Sequence, residues 1–385
     1  MTTNSPTWYI GLLSGTSADG IDAALVRFTD TGPLSEVTLS MPYPEQIAAE
    51  LQLLLSDPAA TRIDTLARLD SQLGDVFADA VLALLRTANI AATDVVAIGS
   101  HGQTLWHAPN DAAPNTVQIG DPNRIAARTG ITVVADLRRA DLAVGGHGAP
   151  LAPLLHDGLF RDTTRTRVVA NLGGIANISI LQPGRPVRGF DTGPANVLMD
   201  LWAQRCEIGS HDHNGAMAAS GRVCHALLEQ MRSEPYFGEA APKSTGRELF
   251  NSNWLDQHLH RFGYAGDALS DQAAQIMATL AELTATTVID AVTSSVGDDL
   301  PNTDLVLCGG GAHNDYLRAR LATLITPGRL MTTDDLGVDS DFLEATLFAW
   351  LAAQRIDGTL VDTRAITGAT RTVQLGAVYR PPHEA

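Results

Sequence analysis

The stretch GLLSGTSADGID at residues 11–22 decides the fold, because a polar, glycine-rich turn here joins two apolar runs. The runs, Trp8–Leu13 and Ile21–Phe28, are typical of short β-strands. Glycine allows the dihedrals that aim successive backbone N–H groups at an anion, and hydroxyl side chains add further donors. The stretch therefore predicts a phosphate-binding hairpin, or else an ordinary hairpin in which Gly and Asp fill the turn positions.

A second cycle of strand, glycine turn and strand begins near residue 167. Strands are predicted at Arg167–Leu172, Ile175–Leu181 and Val187–Phe190, with Gly173-Gly174 as the first turn. Periodicity then predicts helices at about 194–204, 216–231, 252–262 and 271–294. Because both cycles share this order and no long linker separates them, we predict two related α/β halves packed across a cleft.

Composition and charge exclude several classes of partner. The 385 residues carry 43 acidic and 26 basic side chains, a net charge of −17, and no basic run exceeds Arg138–Arg139. Nucleic-acid binding needs a positive surface, so none is expected. The three cysteines form no CxxC pair, no signal-peptide pattern occurs, and no stretch approaches the roughly 20 apolar residues of a membrane span. These features predict a cytoplasmic protein with no membrane partner.

Two familiar nucleotide motifs are absent from the sequence. No GxxxxGK[ST] occurs, and Gly146-His147-Gly148 lacks the third glycine of GxGxxG. In SHGQTLWHAP, the side chains of His101, Gln103 and His107 follow a predicted strand, where they contact a polar substrate or pack a loop. Zinc is disfavoured there, because no cysteine lies near and the pattern is not HExxH. Any nucleotide site is therefore of another kind.

Two later motifs place polar or glycine residues where a strand meets a helix. GFDTGPAN at 189–196 puts Asp191 at the end of a strand, before Pro194 at a helix start. A carboxylate there suits a general base, or it caps the helix. LVLCGGGAHN at 305–314 runs a strand into three glycines. These glycines let the backbone approach a purine or a phosphate, or they form a plain structural joint.

Basic residues are rare, and two motifs contain them. Arg138 and Arg139 follow a predicted strand, where they suit a substrate carboxylate or pair with Asp136 and Asp141. PKSTGREL at 242–249 is similarly suited to an anion. Chemistry alone assigns this second motif no role.

Taken together, the ordered motifs resemble one family, anhydro-N-acetylmuramic acid kinase. They are GxxSGTSxDGxD, SHGQT, NLGGIANIS, GFDTGPAN, PKSTGRE and GGGxHN, with GAVYRP near the C-terminus in agreement. The resemblance covers essentially the whole chain and implies a two-domain actin-like (ribonuclease H-like) ATPase fold of α/β class with an interdomain cleft. The implied domains are 1–137 plus about 366–385, and 138–365.

The resemblance also implies an activity. The family uses ATP and water to open the 1,6-anhydro bridge of 1,6-anhydro-N-acetylmuramic acid and yields N-acetylmuramic acid 6-phosphate, a step in cell-wall recycling. The implied partners are this amino sugar, ATP and Mg²⁺, and a homodimer is one expected assembly. Two other functions stay open on the residues: a plain sugar or carboxylate kinase of the same fold, and a nucleotide-gated binding protein. The chain offers no extra peptide-binding domain for the latter.

Site residues follow from the matched motifs. Asp191 matches the general base, Asp22 is a candidate for Mg²⁺ with Asp19, and His147 stands where the family commonly has glutamine. The implied ATP-binding residues are Gly15, Thr16, Ser17, Ala18, Asp19, Gly20, Ile21, Asp22, Gly173, Gly174, Gly309, Gly310 and Gly311. The resemblance implies substrate contacts by Arg138 and Glu344, and the polar motif after a strand adds His101 and Gln103 as predicted substrate-binding residues.

Overall fold

The computed structural model divides the chain into two compact units. The first comprises the described residues of 1–159 and 342–385, and the second those of 160–341. The residues described are 8–15, 18, 20–29, 32–56, 61–264, 272–340 and 342–382.

A mixed sheet of seven strands forms the centre of the first unit. Its strands are β1 (Trp8–Ser14), β2 (Gly20–Thr29), β3 (Gly32–Pro42), β4 (Val95–Ala108), β5 (Asn115–Ile119), β6 (Val133–Ala135) and β12 (Ala377–Tyr379). The order is β12-β6-β4-β1-β2-β3, with β5 paired to β4. Strands β1, β2 and β3 form an antiparallel meander, whereas β4 runs parallel to β1 and β6 parallel to β4. The hairpin predicted at residues 11–22 is therefore confirmed.

The helices of the first unit are α1 (Glu45–Ser56), α2 (Ile63–Ala88), α3 (Pro122–Thr129), α4 (Arg139–Leu142), α5 (Ala152–Phe160), α12 (Leu343–Ile356) and α13 (Arg364–Thr367). Of these, α2, α3 and α12 pack on the sheet. The approach of α12 to β1 is very close, since a Cβ added at Gly11 would lie 1.7 Å from the carbonyl oxygen of Ala345. On β4, a Cβ added at Gly99 would lie 1.9 Å from the carbonyl oxygen of Phe348. Glycine is required at both positions because helix backbone occupies the side-chain space.

The second unit repeats the strand order of the first. Its sheet consists of β7 (Thr166–Leu172), β8 (Ile175–Leu181), β9 (Arg188–Pro194), β10 (Thr303–Cys308) and β11 (Arg329–Thr332). The order is β11-β10-β7-β8-β9, with an antiparallel meander of β7, β8 and β9 and parallel pairing of β10 to β7 and β11 to β10. The internal duplication predicted from the sequence is thus confirmed in topology.

The helices of the second unit differ in one place from those predicted. They are α6 (Asn196–Arg205), α7 (Ala216–Ser220), α8 (His225–Arg232), α9 (Ser252–Arg261), α10 (Ala273–Val296) and α11 (Asp315–Leu324). A single helix over 216–231 is wrong, because the backbone at Gly221 is extended and passes against α10. A Cβ at Gly221 would lie 2.0 Å from the carbonyl oxygen of Ala274.

Helix α10 is more apolar than expected from the sequence. By length and composition alone, Ala273–Asn302 could cross a membrane, contrary to the expectation that no stretch is apolar enough. However, 78% of its most apolar window is buried in the protein, and Ile276, Leu280 and Val288 belong to the core of the second unit. This is the pattern of a core helix.

The boundaries of the two compact units differ from those of the predicted domains, which are 1–137 plus about 366–385 for the first and 138–365 for the second. Residues 138–159 and 342–365 belong to the first unit. The physical reason is twofold: α12 covers β1, and the buried Asp141 accepts hydrogen bonds from Thr363 and Thr367.

Candidate functional site

The turn between β1 and β2 is held from below by a buried glutamine. The Ser14 hydroxyl lies 2.6 Å from Gln103 Oε1 and 2.8 Å from the carbonyl oxygen of Gly20. Gln103 Nε2 donates to the carbonyl oxygens of Gly15 and Thr104 at 3.3 and 3.1 Å. Since Gln103 is 1% exposed, its amide shapes the turn, and substrate contact by this side chain stays a prediction.

The remaining turn residues contribute mainly backbone. Ala18 has a left-handed φ of 54° and donates its N–H to Gly15, which closes a tight turn. Ile21 is 1% exposed and points into the core, so only its backbone is available to a nucleotide. The predicted residues Thr16, Ser17 and Asp19 lie outside the described residues.

Asp22 lies on β2, immediately after the turn. It is half-buried, stands opposite Leu13 and Ser40, and accepts a hydrogen bond from the Ser40 hydroxyl at 2.5 Å. Among the described residues, no group of three His, Cys, Asp or Glu side chains could hold a metal. Mg²⁺ commonly keeps several waters and binds through one or two carboxylates plus substrate phosphates, so the carboxylate of Asp22 fits that ion.

The predicted substrate residues His101 and Arg138 form one unit. Arg138 Nε donates to His101 Nε2 at 2.9 Å, while Nη1 donates to the carbonyl oxygen of Gly148 at 2.8 Å. His101 Nδ1 lies 2.9 Å from the carbonyl oxygen of Gly102, which assigns the proton to Nδ1. Burial, together with the Arg138 cation, lowers the pKa of His101 well below its ordinary value. The ring is therefore neutral and orients the guanidinium.

Glu344 is coupled to this arginine. It lies in the first turn of α12 and is exposed. Burial lowers the pKa of Arg138 to about 10, and the charges of Glu344 and Asp141 oppose that shift. The guanidinium stays charged near neutral pH, and its Nη2 has no partner among the described residues. The structure thus brings together His101, Arg138 and Glu344.

A buried carboxylate organises the loop that follows Arg138. Asp141 is 0% exposed and accepts from the Gly148 N–H at 2.7 Å as well as from the two threonine hydroxyls near α13. The predicted pairing of Arg139 with Asp136 is confirmed at 3.5 Å, whereas the predicted pairing of Asp141 with an arginine is wrong for this reason. The His147 N–H donates to the carbonyl oxygen of Thr367 at 2.9 Å. This hydrogen bond fixes the backbone at His147, where the family commonly has glutamine.

In the second unit, Asp191 lies near the end of β9, and one of its two carboxylate oxygens is hydrogen-bonded. Its Oδ2 accepts from the Thr245 N–H at 3.0 Å, and Oδ1 has no partner among the described residues. Burial raises the pKa of Asp191 to about 7; the Thr245 hydrogen bond opposes this shift and the charge of Glu248 adds to it.

Asp191 does not cap the following helix. Helix α6 begins at Asn196, its N-cap is Ala195, and no side chain donates or accepts there. Pro194 ends β9 instead of starting the helix. The capping alternative is therefore wrong.

Sequence reasoning missed the residues that hold Asp191. The Tyr236 hydroxyl donates to the carbonyl oxygen of Asp191 at 2.6 Å, and the Asp191 N–H donates to the carbonyl oxygen of Lys243 at 3.1 Å. Asn177 stands opposite Asp191 in the β8–β9 register and has a buried Oδ1 without a hydrogen-bond partner. The only available signal was the PKSTGRE motif, which contains Lys243 and Thr245.

The two glycine clusters of the second unit lie close together. Gly173 and Gly174 form the β7–β8 turn, and no atom lies closer than 3.5 Å to a Cβ added at either. Gly309 and Gly311 instead pack tightly, since added Cβ atoms would lie 2.2 Å from Asn171 Oδ1 and 2.6 Å from Leu172 Cβ. Gly310 is exposed. Gly309 and Gly311 therefore fit the interpretation that these glycines form a plain structural joint between strand and helix.

Comparison with known proteins gives one family and several distant folds. The family model described as anhydro-N-acetylmuramic acid kinase matches residues 7–381. Among solved structures, an activator of 2-hydroxyisocaproyl-CoA dehydratase from Clostridium difficile is 12% identical, with a TM-score of 0.41 over 92% of this chain and 99% of that one. A ROK family glucokinase from Streptomyces griseus is 14% identical, with a TM-score of 0.36 over 90% and 99%. Likeness at this level carries no argument about function.

Proposed function

The chain belongs to the anhydro-N-acetylmuramic acid kinase family, and we propose that Asp191 is the general base of its reaction. The protein has the α/β actin-like ATPase fold of that family and is a phosphotransferase. It uses ATP to convert 1,6-anhydro-N-acetylmuramic acid into N-acetylmuramic acid 6-phosphate in peptidoglycan recycling. The observation that carries the proposal is the carboxylate itself, anchored through Oδ2 and uncommitted at Oδ1.

The proposed chemistry balances in two linked steps. Asp191 takes one proton from a water molecule, whose oxygen bonds to the anomeric carbon while the bond from that carbon to the bridging 6-oxygen breaks. The freed 6-oxygen bonds to the γ-phosphorus, and the bond from that phosphorus to ADP breaks. The proton is then released from Asp191 to solvent. A base whose pKa is about 7 is matched to this task near neutral pH.

We assign the nucleotide to the two glycine hairpins. In the first unit the Ala18 N–H closes a tight turn on Gly15, and in the second no atom lies closer than 3.5 Å to a Cβ added at Gly173 or Gly174. Asp22 would hold Mg²⁺ through water, and the ion would neutralise charge on the phosphates. Of the late glycines, the exposed Gly310 is the best candidate to face the nucleotide.

We assign the sugar to Arg138, His101 and Glu344. The free Nη2 of Arg138 suits the carboxylate of the lactyl group, and neutral His101 holds the guanidinium in position. Gln103 supports the neighbouring turn, and its contact with the sugar stays a prediction. We further propose a cytoplasmic location, no membrane or nucleic-acid partner, and a homodimer as one possible assembly to test by light scattering.

Oxygen-18 labelling tests the function directly. The anhydro sugar and ATP are incubated with the protein in oxygen-18 water, and the product is analysed by mass spectrometry. We expect one label on the anomeric oxygen and none in the phosphate. Unlabelled product held in the same water for the same time controls for exchange at the anomeric carbon. A phosphorylated sugar without label, or with an intact anhydro bridge, would show a plain sugar kinase instead.

A further inference from the structure

A phosphate at the Gly173-Gly174 turn needs positive charge, and the adjacent helix does not supply it. Helix N-termini commonly bind anions through their free N–H groups. Here the N–H groups of Ala195 and Val197 donate to the carbonyl oxygen of Gly174 at 2.9 and 3.1 Å, and that of Asn196 donates to Gly173 at 2.9 Å. The first N–H groups of α6 are therefore already used to hold the hairpin.

Lys243 is also committed elsewhere. Its Nζ donates to the carbonyl oxygens of Tyr236 and Phe237 at 2.9 and 3.3 Å and lies 4.4 Å from the centre of the Tyr236 ring. An ammonium with two carbonyl acceptors and an aromatic face is part of the support beneath Asp191. Two of its three N–H donors are therefore committed to the backbone.

Arg247 is a cation beside this turn whose donors are uncommitted among the described residues. Its Nη2 lies 4.0 Å from the position of a Cβ on Gly174. The side chain is exposed and has no hydrogen bond or ion pair among the described residues. Burial raises the pKa of Asp200 and the charge of Arg247 opposes that rise, but the two side chains form no ion pair. The guanidinium donors are therefore not used by this carboxylate.

The backbone around Arg247 is fixed on both sides. On one side the Thr245 N–H is bound to Asp191 Oδ2 at 3.0 Å. On the other, the N-cap residue of α9, Asn251, donates from Nδ2 to the carbonyl oxygen of Arg247 at 3.1 Å. Phe250, which is 0% exposed, donates its N–H to Gly246 at 3.1 Å. A single short segment therefore connects the proposed base to the guanidinium.

We propose that Arg247 binds the phosphate chain of ATP at the Gly173-Gly174 turn and stabilises the charge on the γ-phosphoryl group during transfer. This inference rests on the proposed function and adds a residue to it. Arg247 exchanges no proton and forms no covalent bond. It binds oxygens of the phosphoryl group while the 6-oxygen bonds to phosphorus and ADP leaves. The planar guanidinium fork matches phosphate geometry, and the two glycines leave room for both groups.

The test compares Arg247→Ala and Arg247→Lys with Arg261→Gln. Arg261 is an exposed arginine at the far end of α9, roughly 13 Å along the helix axis from its start, and has no ion pair among the described residues. Steady-state kinetics are measured with ATP and with the anhydro sugar varied in turn. Melting temperature and binding of ADP by calorimetry are measured on the same samples. Arg247→Ala is also assayed with added guanidinium ion at concentrations that do not denature the protein.

We expect Arg247→Ala to lower kcat/KM for ATP on the order of 10²-fold and to weaken ADP binding, with the melting temperature and the KM for the sugar near wild type. Arg247→Lys keeps the charge and should recover part of the loss, as should guanidinium ion; Arg261→Gln should match wild type. ATP kinetics of Arg247→Ala equal to those of Arg261→Gln would overturn the inference. So would a rise confined to the KM for the sugar, which would assign Arg247 to the lactyl carboxylate. A wild-type protein that fails to convert the anhydro sugar at all would instead overturn the proposed function.

Discussion

Replacing Asp191 by asparagine should give a protein that is inactive and yet more stable than wild type above neutral pH. Asparagine keeps an oxygen to accept the Thr245 N–H but cannot take a proton from water. Loss of a general base typically lowers the rate about 10²–10⁴-fold. We therefore expect kcat to fall by at least 10²-fold at pH 8 with ADP binding retained.

The stability effect follows from the raised pKa of Asp191, about 7 in the folded protein. Between about pH 4 and pH 7 the folded state binds a proton that the unfolded chain does not, so stability falls as the pH rises through this window. At about 1.4 kcal/mol per pKa unit, the ionised carboxylate costs the folded state at most about 4 kcal/mol at pH 8. Since Asp191 is only half-buried and keeps some water, about 1–3 kcal/mol is the expected net value.

Urea unfolding at pH 5 and pH 8 measures this difference. The variant should be more stable than wild type at pH 8, and the two should agree more closely at pH 5, where the wild-type carboxyl is protonated. Asp298→Asn is the matched control, because that aspartate is exposed in the same unit and shows no hydrogen bond among the described residues. Turnover above a tenth of wild type, or an equal stability difference at both pH values, would contradict a catalytic, desolvated Asp191.

Four further outcomes are expected. Wild-type kcat should fall about tenfold per pH unit below pH 7, because the protonated Asp191 cannot accept a proton; a flat profile from pH 5 to 8 would contradict this. Gly11→Ala should prevent folding, since its Cβ would overlap helix backbone, whereas Gly158→Ala in α5 meets no atom within 4 Å and should raise stability by about 0.5–1 kcal/mol, as read by expression and thermal melting. Asp141→Ala should lower the free energy of unfolding by about 3 kcal/mol or more, because three buried donors lose their acceptor; a change below 1 kcal/mol in urea would refute the network. Burial alone raises the pKa of Asp304, but the hydrogen bonds of Arg165 and Arg329 lower it overall, so wild type should lose stability below about pH 4 faster than Asp304→Asn does in acid titrations followed by circular dichroism.

The parts of the fold that the sequence predicts are those with local causes. Both hairpins could be located because glycine turns separate apolar runs, and the duplication followed from their order. The unit boundaries could not, since α12 meets β1 through Gly11 and Ala345, residues more than 300 positions apart. Nothing in the letters around Gly11 indicates that a helix backbone will lie against it.

The candidate site shows the same division. The position of Asp191 after a strand is a local signal, and the chemistry of a carboxylate suggests its role. Its support from Tyr236 and Thr245 depends on how a later loop folds back on β9, which no periodicity encodes. The polar motif around Gln103 predicts a substrate contact, whereas its hydrogen bonds to the turn of β1 and β2 depend on tertiary packing that the sequence does not indicate.

The first unit is built from two separate stretches of chain, and this sets the order of events on the ribosome. The second unit is one continuous segment, complete once residue 341 has been made. Strands β1 and β4 remain without α12 until Ile356 has left the exit tunnel, on the order of half a minute after β1 emerges. The later-made unit can therefore finish folding before the earlier one. During that interval the nascent chain exposes the face of β1 and β4 that α12 will cover, which leaves this face open to aggregation until α12 has emerged.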